Sequence, residues 1–182
     1  MATPFRRAVL VILLAIGATP LAAQVPEYEA KSEFLERFTR FIDWPADAPD
    51  APATTPFVIG VVGRDPFGRY LDALASSRSI KGRPVQIRRL TGYAEVGACC
   101  QLLFIAGSEA PQLAQIVDRT AGKPVLTVGD TPGFAEKGVL INLYEDRGRI
   151  GFEVNEAGVR TSGLRFNSKL LRLARLVGGD QK

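Results

Sequence analysis

The sequence predicts an α/β fold: a single domain whose mixed β-sheet is flanked by helices on both faces, with an N-terminal amphipathic helix and a C-terminal hairpin plus helix. Three observations lead to this prediction. Short apolar runs alternate with helical patterns through the middle of the chain, an aromatic amphipathic stretch precedes them, and two strand-like runs joined by a turn follow them. Strands that alternate with helices indicate a sheet covered on both faces.

The first 23 residues are typical of a secretory signal peptide. Arg6 and Arg7 precede an apolar run from Ala8 to Ala18, and small residues follow up to Ala23. The run is shorter than the about 20 apolar residues that a membrane span requires. We therefore predict export with cleavage after Ala23, which leaves one domain over residues 24–182; an uncleaved N-terminal anchor is the alternative.

Charge and residue types exclude several classes of function. Removal of residues 1–23 takes away two arginines and leaves 21 basic against 19 acidic residues. This balance argues against a nucleic-acid partner, which calls for a concentrated basic surface. The chain has no histidine, so Ser-His-Asp and Cys-His catalysis and histidine-based metal sites are excluded. We predict a protein that is not an enzyme and carries no cofactor.

The two cysteines, Cys99 and Cys100, are neighbours in the chain. Ordinary disulfides join Cα atoms about 5.5 Å apart, whereas neighbouring Cα atoms lie about 3.8 Å apart, so a bond between them requires a strained ring. Both remain candidates for redox chemistry: free, joined to each other, or joined to a second molecule. We predict that one of them is a small buried residue and that the fold depends mainly on its apolar core.

An amphipathic helix is predicted from Pro26 to about Asp43. Its apolar residues recur at helical spacing: Phe34, Leu35, Phe38, Phe41 and Ile42. Pro45 disfavours a helical conformation at Trp44, so the helix is expected to end there. Trp44 is either an exposed aromatic anchor for a partner or a residue that packs on the core, and with Phe41 it forms one candidate patch. The proline-rich residues 45–56 are predicted to be an exposed extended loop.

Four strands and two helices are predicted in the middle of the chain. The strands are Phe57–Val62, Val85–Leu90, Leu102–Ala106 and Pro124–Val128, and the helices are 67–76 and 108–120. The turn between the first strand and its helix contains Gly63 and Arg64. Backbone N–H groups at a helix N-terminus suit an anion, so this turn is a candidate ligand site, although its spacing matches no phosphate-binding motif and a tight turn explains the glycines.

The last part of the chain is predicted to form a hairpin and a helix. Strands 139–144 and 149–154 flank a four-residue loop, 145–148, and are expected at one edge of the sheet. The closing helix is predicted from Asn167 to about Val177, with Leu170, Leu171, Leu173, Ala174, Leu176 and Val177 on its apolar side. Lys169, Arg172 and Arg175 then form a cationic ridge that either stabilises the helix end or binds a partner.

Six blocks of the sequence resemble a known family. In order they are 31–45 (KSEFLERFTRFIDWP), 62–68 (VGRDPFG), 100–105 (CQLLFI), 123–128 (KPVLTV), 152–155 (FEVN) and 163–174 (GLRFNSKLLRLA). Together they resemble the YfiR-like (YfiR/HmsC-like) family of exported bacterial proteins, over about Tyr28 to Val177.

The resemblance implies a periplasmic α/β protein, often dimeric, that binds the periplasmic sensor domain of an inner-membrane diguanylate cyclase and holds it inactive. Release of such a repressor raises cyclic di-GMP and favours biofilm, and an outer-membrane lipoprotein can sequester the repressor. The family brings no catalytic residues, and only Cys100 matches one of its cysteine positions.

We therefore predict a binding protein. The predicted partner-binding residues are Phe41, Trp44, Gly163, Leu164, Ser168, Lys169 and Arg172. The alternative is a periplasmic small-molecule or nucleotide sensor that uses Gly63 and Arg64.

Overall fold

The computed structural model describes residues 27–45 and 54–179, which form an eight-stranded sheet, a two-stranded sheet and five α-helices. The predicted signal peptide and most of the proline-rich loop lie outside the described residues. Within them, no helix combines the length and the apolarity that crossing a membrane requires. The predicted α/β fold class is confirmed.

The elements follow one another in a largely alternating order. They are α1 Glu27–Thr39, β1 Ile42–Asp43, β2 Phe57–Val62, α2 Arg69–Ser77, β3 Ser79–Ile80, β4 Arg83–Leu90, β5 Leu102–Ile105, α3 Leu113–Thr120, β6 Leu126–Gly129, β7 Ile141–Asp146, β8 Arg149–Asn155, α4 Glu156–Thr161, β9 Arg165–Phe166, α5 Ser168–Leu171 and β10 Arg175–Val177. Two 3₁₀ segments, Tyr93–Glu95 and Gly107–Gln112, lie on either side of β5.

The main sheet has the strand order β10-β8-β7-β6-β5-β2-β4-β3. The strands from β4 through β2, β5 and β6 to β7 run parallel, whereas β8 is antiparallel to β7 and β3 is antiparallel to β4. β5 and β6 are buried along their whole length, as expected for parallel strands covered on both faces.

Two apolar cores lie on opposite faces of the sheet. Leu35 of α1 and Leu71 of α2 pack with Phe104 of β5 in the larger core. Leu113 of α3 packs with Leu103, the neighbour of Phe104 in β5, in the smaller core. Successive strand residues point to opposite faces, so this division confirms helices on both sides of the sheet.

The first helix ends earlier than predicted, at Thr39 rather than about Asp43. The hydroxyl of Thr39 donates a hydrogen bond to the carbonyl of Glu36 (2.6 Å), and the chain then turns. Ile42 and Asp43 are extended because they form β1, which pairs antiparallel with β9. The partner strand lies more than a hundred residues away in the chain, so the apolar periodicity of this segment does not indicate the pairing.

The hairpin forms but differs from its prediction in two ways. Its loop has two residues rather than four, because the first strand continues to Asp146 and the second begins at Arg149. The two loop residues, Arg147 and Gly148, both have positive φ (51° and 75°). Its outer strand β8 is not the sheet edge, since β10 pairs alongside it in parallel, Arg175 opposite Glu153 and Val177 opposite Asn155.

The predicted closing helix is wrong over most of its length. α5 is a single turn from Ser168 to Leu171, and the chain becomes extended again as β10. Of the six residues assigned to its apolar side, Leu170 is buried, Leu171, Ala174 and Val177 are half-buried, and Leu173 and Leu176 are exposed. Pairing with β8 competes successfully with the helical pattern because it covers an otherwise open strand edge.

Candidate partner interface

The two surface patches predicted from distant parts of the sequence meet in the structure. β1 pairs with β9, with Ile42 opposite Phe166. One step beyond this pair, the backbone N–H of Asn167 donates to the carbonyl of Phe41 (2.8 Å). The end of α1 and the closing block therefore form one region of the molecule.

α5 is positioned by its N-terminal cap. The side chain of Asn167 accepts a hydrogen bond from the backbone N–H of Lys169 (2.9 Å), as expected of an asparagine at this position. Leu170 anchors the turn in the core, and the side chains on either side of it, Ser168, Lys169 and Arg172, are exposed. The predicted cations are therefore accessible, although they do not form a helical ridge.

Two large apolar side chains that follow these cations in the chain are exposed to solvent. Leu173 is 74% exposed and Leu176 is 44% exposed, and these are the large hydrophobic residues exposed among those the structure describes. Leu176 belongs to β10, which has no neighbour on its outer side among the strands of the described residues. We define the closing surface as Ser168, Lys169, Arg172, Leu173 and Leu176.

Three predicted interface residues have other local roles. Trp44 is only 4% exposed: its indole N–H donates to the carbonyl of Gln101 (3.1 Å), and its ring meets Phe57 edge to face at 5.3 Å. The exposed-anchor alternative for Trp44 therefore does not hold, and the core-packing alternative does. Leu164 is also buried, whereas Gly163 is exposed and supplies a positive φ (74°) just before β9.

The turn at Gly63 and Arg64 is closed by an acidic segment. The backbone N–H of Arg64 donates to the hydroxyl of Ser108 (2.9 Å). A Cβ at Gly63 would lie 2.5 Å from this hydroxyl oxygen and 2.8 Å from a carboxylate oxygen of Glu109. The space in front of the turn thus contains a carboxylate, so the geometry gives no support to an anion site there.

Cys99 and Cys100 are joined to each other by a disulfide, and both are buried. They lie against Gly60 of β2, where an added Cβ would stand 2.7 Å from the sulfur of Cys100. Gly60, which lies within the predicted strand Phe57–Val62, is therefore a point of close approach between β2 and the cysteine pair.

A cavity of about 460 Å³ opens beside α1, β7 and β8, and sequence reasoning did not find it. We call it the acidic cavity; it is lined by Glu27, Lys31, Asp130, Pro132, Gly133, Glu136, Asn142, Leu143, Tyr144, Glu145, Glu153 and Arg175. The available signals were single polar residues within buried strand segments, Asn142 in β7 and Glu153 in β8. The sequence did not indicate that residues from separate segments would line the cavity.

Lys31 and Asp130 form a buried ion pair in one wall of the acidic cavity. The ammonium of Lys31 lies 2.7 Å from a carboxylate oxygen of Asp130 and also contacts Glu27. Burial alone would lower the pKa of Lys31, but hydrogen bonds to Asp130 and Glu27 outweigh it, and the pKa is raised. Burial, followed by the nearby charge of Asp130, raises the pKa of Tyr28.

Glu153 is the buried carboxylate on the β-sheet side of the acidic cavity. Arg175 of β10 contacts one of its oxygens, and the amide N–H of Asn142 donates to the other (3.2 Å). The remaining polar atom of Asn142, its Oδ1, is buried and has no hydrogen-bond partner among the described residues. Arg175, predicted as part of a surface ridge, is exposed as predicted (60%), and it pairs with the buried Glu153 from the surface.

The fold and the closing surface define a class of protein, a single-domain α/β protein with an exposed apolar and cationic surface beside a sheet edge. The chain belongs to the YfiR/HmsC-like family, whose model matches residues 28–175. This family consists of regulatory rather than catalytic proteins, is periplasmic, and is associated with the regulation of diguanylate cyclases.

Two solved structures share the fold. A conserved domain protein from Vibrio cholerae O1 biovar El Tor strain N16961 has a TM-score of 0.53 and 12% identity, and covers 82% of this chain. An ABC domain from Streptococcus pneumonia in complex with L-Trp has a TM-score of 0.53 and 10% identity, also over 82% of this chain. In each case the match spans 60% of the other chain. At these identities the likeness shows the fold alone.

Proposed function

We propose that this protein is a periplasmic repressor that binds the periplasmic domain of an inner-membrane diguanylate cyclase and holds the enzyme inactive. The observation that carries the proposal is the closing surface, which combines exposed leucines with two cations in a member of a regulatory family. A surface of this composition suits a macromolecular partner, because leucines left in water gain from burial and arginine is enriched among the residues that dominate binding energy.

Burial of the exposed leucines would contribute favourably to a complex. Burial of one leucine side chain contributes about 1.5–3 kcal/mol, so Leu173, now 74% exposed, has most of this gain still available. Lys169 and Arg172 supply charge complementarity, which mainly sets orientation and association rate. Repression follows when the closing surface binds the inactive state of the cyclase more tightly than the active state.

Two further partners belong to the same proposal. An outer-membrane lipoprotein that competes for the repressor would release the cyclase, raise cyclic di-GMP and favour biofilm. A homodimer is the proposed oligomeric state, and the open side of β10 is a sheet edge of the kind that pairs with a second strand.

The test uses charge reversal on the closing surface. Lys169→Glu combined with Arg172→Glu, and separately Leu173→Ser, are expected to weaken binding to the purified periplasmic domain of the cyclase by about tenfold or more, because each change removes at least about 1.4 kcal/mol of binding energy. Calorimetry measures the affinity. In cells that carry these variants, cyclic di-GMP is expected to rise toward the level of the deletion strain.

Arg64→Glu combined with Arg69→Glu is the matched control. These exposed arginines lie near the start of α2, several strands away from β10, and their reversal changes the net charge by the same amount. Unaltered affinity of the folded Lys169/Arg172 variant would remove the closing surface from the proposal. Unaltered cyclic di-GMP after deletion of the whole protein would remove the regulatory function itself.

A further inference from the structure

We infer that a cleft between α3 and α4 is a binding site for a small uncharged molecule that combines an apolar ring or chain with one hydrogen-bond acceptor. Its volume of about 350 Å³ is within the range of small-molecule sites. It shares no residue with the closing surface, and the inference does not depend on the proposed repression of a cyclase. We call it the α3–α4 cleft; it is lined by Val117, Thr120, Ala121, Gly122, Val125, Thr127, Gly138, Leu140, Asn155, Ala157, Gly158, Thr161 and Ser162.

The α3–α4 cleft has a buried floor and an accessible mouth. The buried residues of the lining are Thr120, Val125, Thr127, Leu140, Asn155 and Ser162. Ala121, Gly122, Ala157 and Thr161 are exposed, and because these residues are small they leave the entrance open. A cavity of about 150 Å³ accommodates one benzene ring, so the larger volume here accepts a ring with a short substituent.

The walls of the cleft are closely packed, so the space between them is not a general loosening of the fold. A Cβ added at Gly138 would lie 2.6 Å from a methyl carbon of Val117, and one added at Gly158 would lie 2.8 Å from a methyl carbon of Leu140. Asn155 fixes the start of α4, because its Oδ1 accepts from the N–H of Gly158 (2.8 Å) and its Nδ2 donates to a backbone carbonyl (2.8 Å). The cleft is therefore largely preformed, as small-molecule sites are.

The composition of the lining selects an uncharged ligand. None of the described residues that line the cleft carries a charge; they supply aliphatic, backbone, hydroxyl and amide groups. Transfer of an ion from water into such surroundings is costly when no opposite charge is present. An apolar group, in contrast, gains from burial against Val117, Val125 and Leu140.

Thr127, which is 2% exposed, supplies a hydrogen-bond donor in the floor. Its neighbours Leu126 and Val128 pack in the larger core, so its side chain points to the opposite face of the sheet, where α3 lies. Its Oγ1 accepts from the backbone N–H of Leu140 (2.9 Å), which leaves the hydroxyl hydrogen without an acceptor among the described residues. The other three hydroxyl groups of the lining donate to backbone carbonyls. Buried donors are nearly always paired, so we expect an acceptor oxygen on the ligand.

The experiment is a titration of the protein without residues 1–23 with acetophenone, followed by two-dimensional NMR of the backbone amides. Acetophenone is uncharged and combines an aromatic ring with one carbonyl group. We expect saturable shifts confined to the amides around the cleft, including those of Gly122, Gly138, Leu140 and Gly158. Benzoate carries a negative charge on the same ring and is expected to cause no such shifts. Toluene lacks the acceptor and is expected to bind about fivefold more weakly.

Two variants of Thr127 test the hydrogen bond. Thr127→Ser keeps a hydroxyl group and is expected to keep the preference for acetophenone over toluene. Thr127→Val keeps the shape but removes the donor, so it is expected to bind acetophenone about fivefold more weakly and toluene within about twofold of the wild type. A purely structural role of Thr127 would change both affinities together. Should Thr127→Val fail to fold, the comparison of the two ligands on the wild-type protein tests the acceptor.

Two paired variants locate the site. Ala121→Leu with Ala157→Leu places a larger side chain on each side of the mouth and is expected to weaken acetophenone binding by about fivefold or more, because the ring meets the added methyl groups. Ala73→Leu with Ala114→Leu makes the same change at exposed alanines outside the lining and is expected to leave the affinity within about twofold.

The outcomes separate the alternatives. Saturable binding of acetophenone that is weakened by the mouth variant and retained by the control supports the inference. Shifts that do not saturate, or that lie away from the cleft, overturn it, and so does benzoate binding as tight as that of acetophenone. Equal affinity for acetophenone and toluene overturns the requirement for an acceptor. These measurements involve no cyclase, so their failure would leave the proposed repression unaffected.

Discussion

The burial and the ion pairs of Lys31 together determine its pKa. Its side chain is 4% exposed, and such burial is tolerated because Asp130 and Glu27 supply opposite charges within contact distance. The ring of Tyr28 lies 4.6 Å from the same ammonium. The pKa values of both Lys31 and Tyr28 are raised, so the folded protein holds these two protons more tightly than the unfolded chain does.

The sign of the resulting pH dependence follows from linkage. A group whose folded pKa is raised contributes stability below its unfolded pKa and loses it as the pH rises through the folded value. The ordinary values are 10.5 for Lys31 and 10.0 for Tyr28, so the free energy of unfolding is expected to decrease as the pH rises above about 10. Urea unfolding at a series of pH values measures this decrease.

Lys31→Gln is the comparison variant. It is expected to be less stable at neutral pH by about 2 kcal/mol, because Asp130 loses a charged hydrogen-bond partner. Its stability is also expected to fall less between about pH 9 and pH 11, since one of the two titrating groups is absent. A wild-type protein and a variant with parallel pH profiles would contradict the assignment of this slope to Lys31.

At the scale of elements, the β7–β8 hairpin loop has one residue that suits its backbone conformation and one that does not. Arg147 and Gly148 occupy the two loop positions, both with positive φ. Two-residue hairpin loops of this geometry favour Asn-Gly, because the first position is strained for a side chain without local hydrogen bonding. Gly148 suits its position, whereas Arg147 adopts an uncommon conformation for a non-glycine residue.

We expect opposite effects from two substitutions in this loop. Arg147→Asn is expected to raise the free energy of unfolding by about 0.5 kcal/mol, because asparagine tolerates the left-handed region better. Gly148→Ala is expected to lower it by about 1 kcal/mol, because alanine does not. Chemical denaturation of both variants gives the values. Gly92→Ala, at an exposed position with extended backbone (φ −170°) and open space for a Cβ, is the matched control and is expected to cause no such loss.

At the scale of the whole molecule, Trp44 lies where segments distant in the chain meet. It is the single tryptophan of the chain. Its ring contacts Phe57 of β2, its indole N–H bonds to Gln101 just before β5, and the neighbouring β1 pairs with β9. The environment of Trp44 therefore depends on the start, the middle and the end of the described chain at once.

A single cooperative transition is expected from this arrangement. Tryptophan fluorescence and far-ultraviolet circular dichroism are expected to give coincident unfolding curves in urea, because Trp44 cannot be released without disrupting the sheet around it. The native emission is expected at shorter wavelength than the unfolded emission, since the ring is buried. A fluorescence transition that precedes the loss of secondary structure would show that the end of α1 and β9 unfold separately from the main sheet.

The central strands were predictable because local pattern and tertiary environment agree. The runs at β2, β5 and β6 are apolar at nearly every position, as required for strands buried on both faces, and β4 was found for its alternation. Their adjacent helices were also found, with boundaries shifted by a few residues. In these segments the free energy of local conformation and that of burial favour the same structure.

The closing block was predicted less well because two structures satisfy its local pattern. Residues 170–177 carry an apolar spacing that fits a helix, yet the chain forms one turn and then β10, since β8 offers an unpaired edge and Glu153 offers a partner for Arg175. The same competition moved Leu173 and Leu176 from the predicted core to the surface. The exposure of Ser168, Lys169 and Arg172 was correct, although their partner is still a proposal.

The sequence by itself determined the α/β class, the central strands, the hairpin and the family of this protein, because each of these depends on patterns within short segments. Only the tertiary structure decided that Trp44 is buried, that β1 joins β9, that β10 covers β8, and that carboxylates from separate segments line one cavity. These features arise from contacts between residues far apart in the chain. The free energy of these contacts depends on which segments meet, and a local sequence pattern does not contain that information.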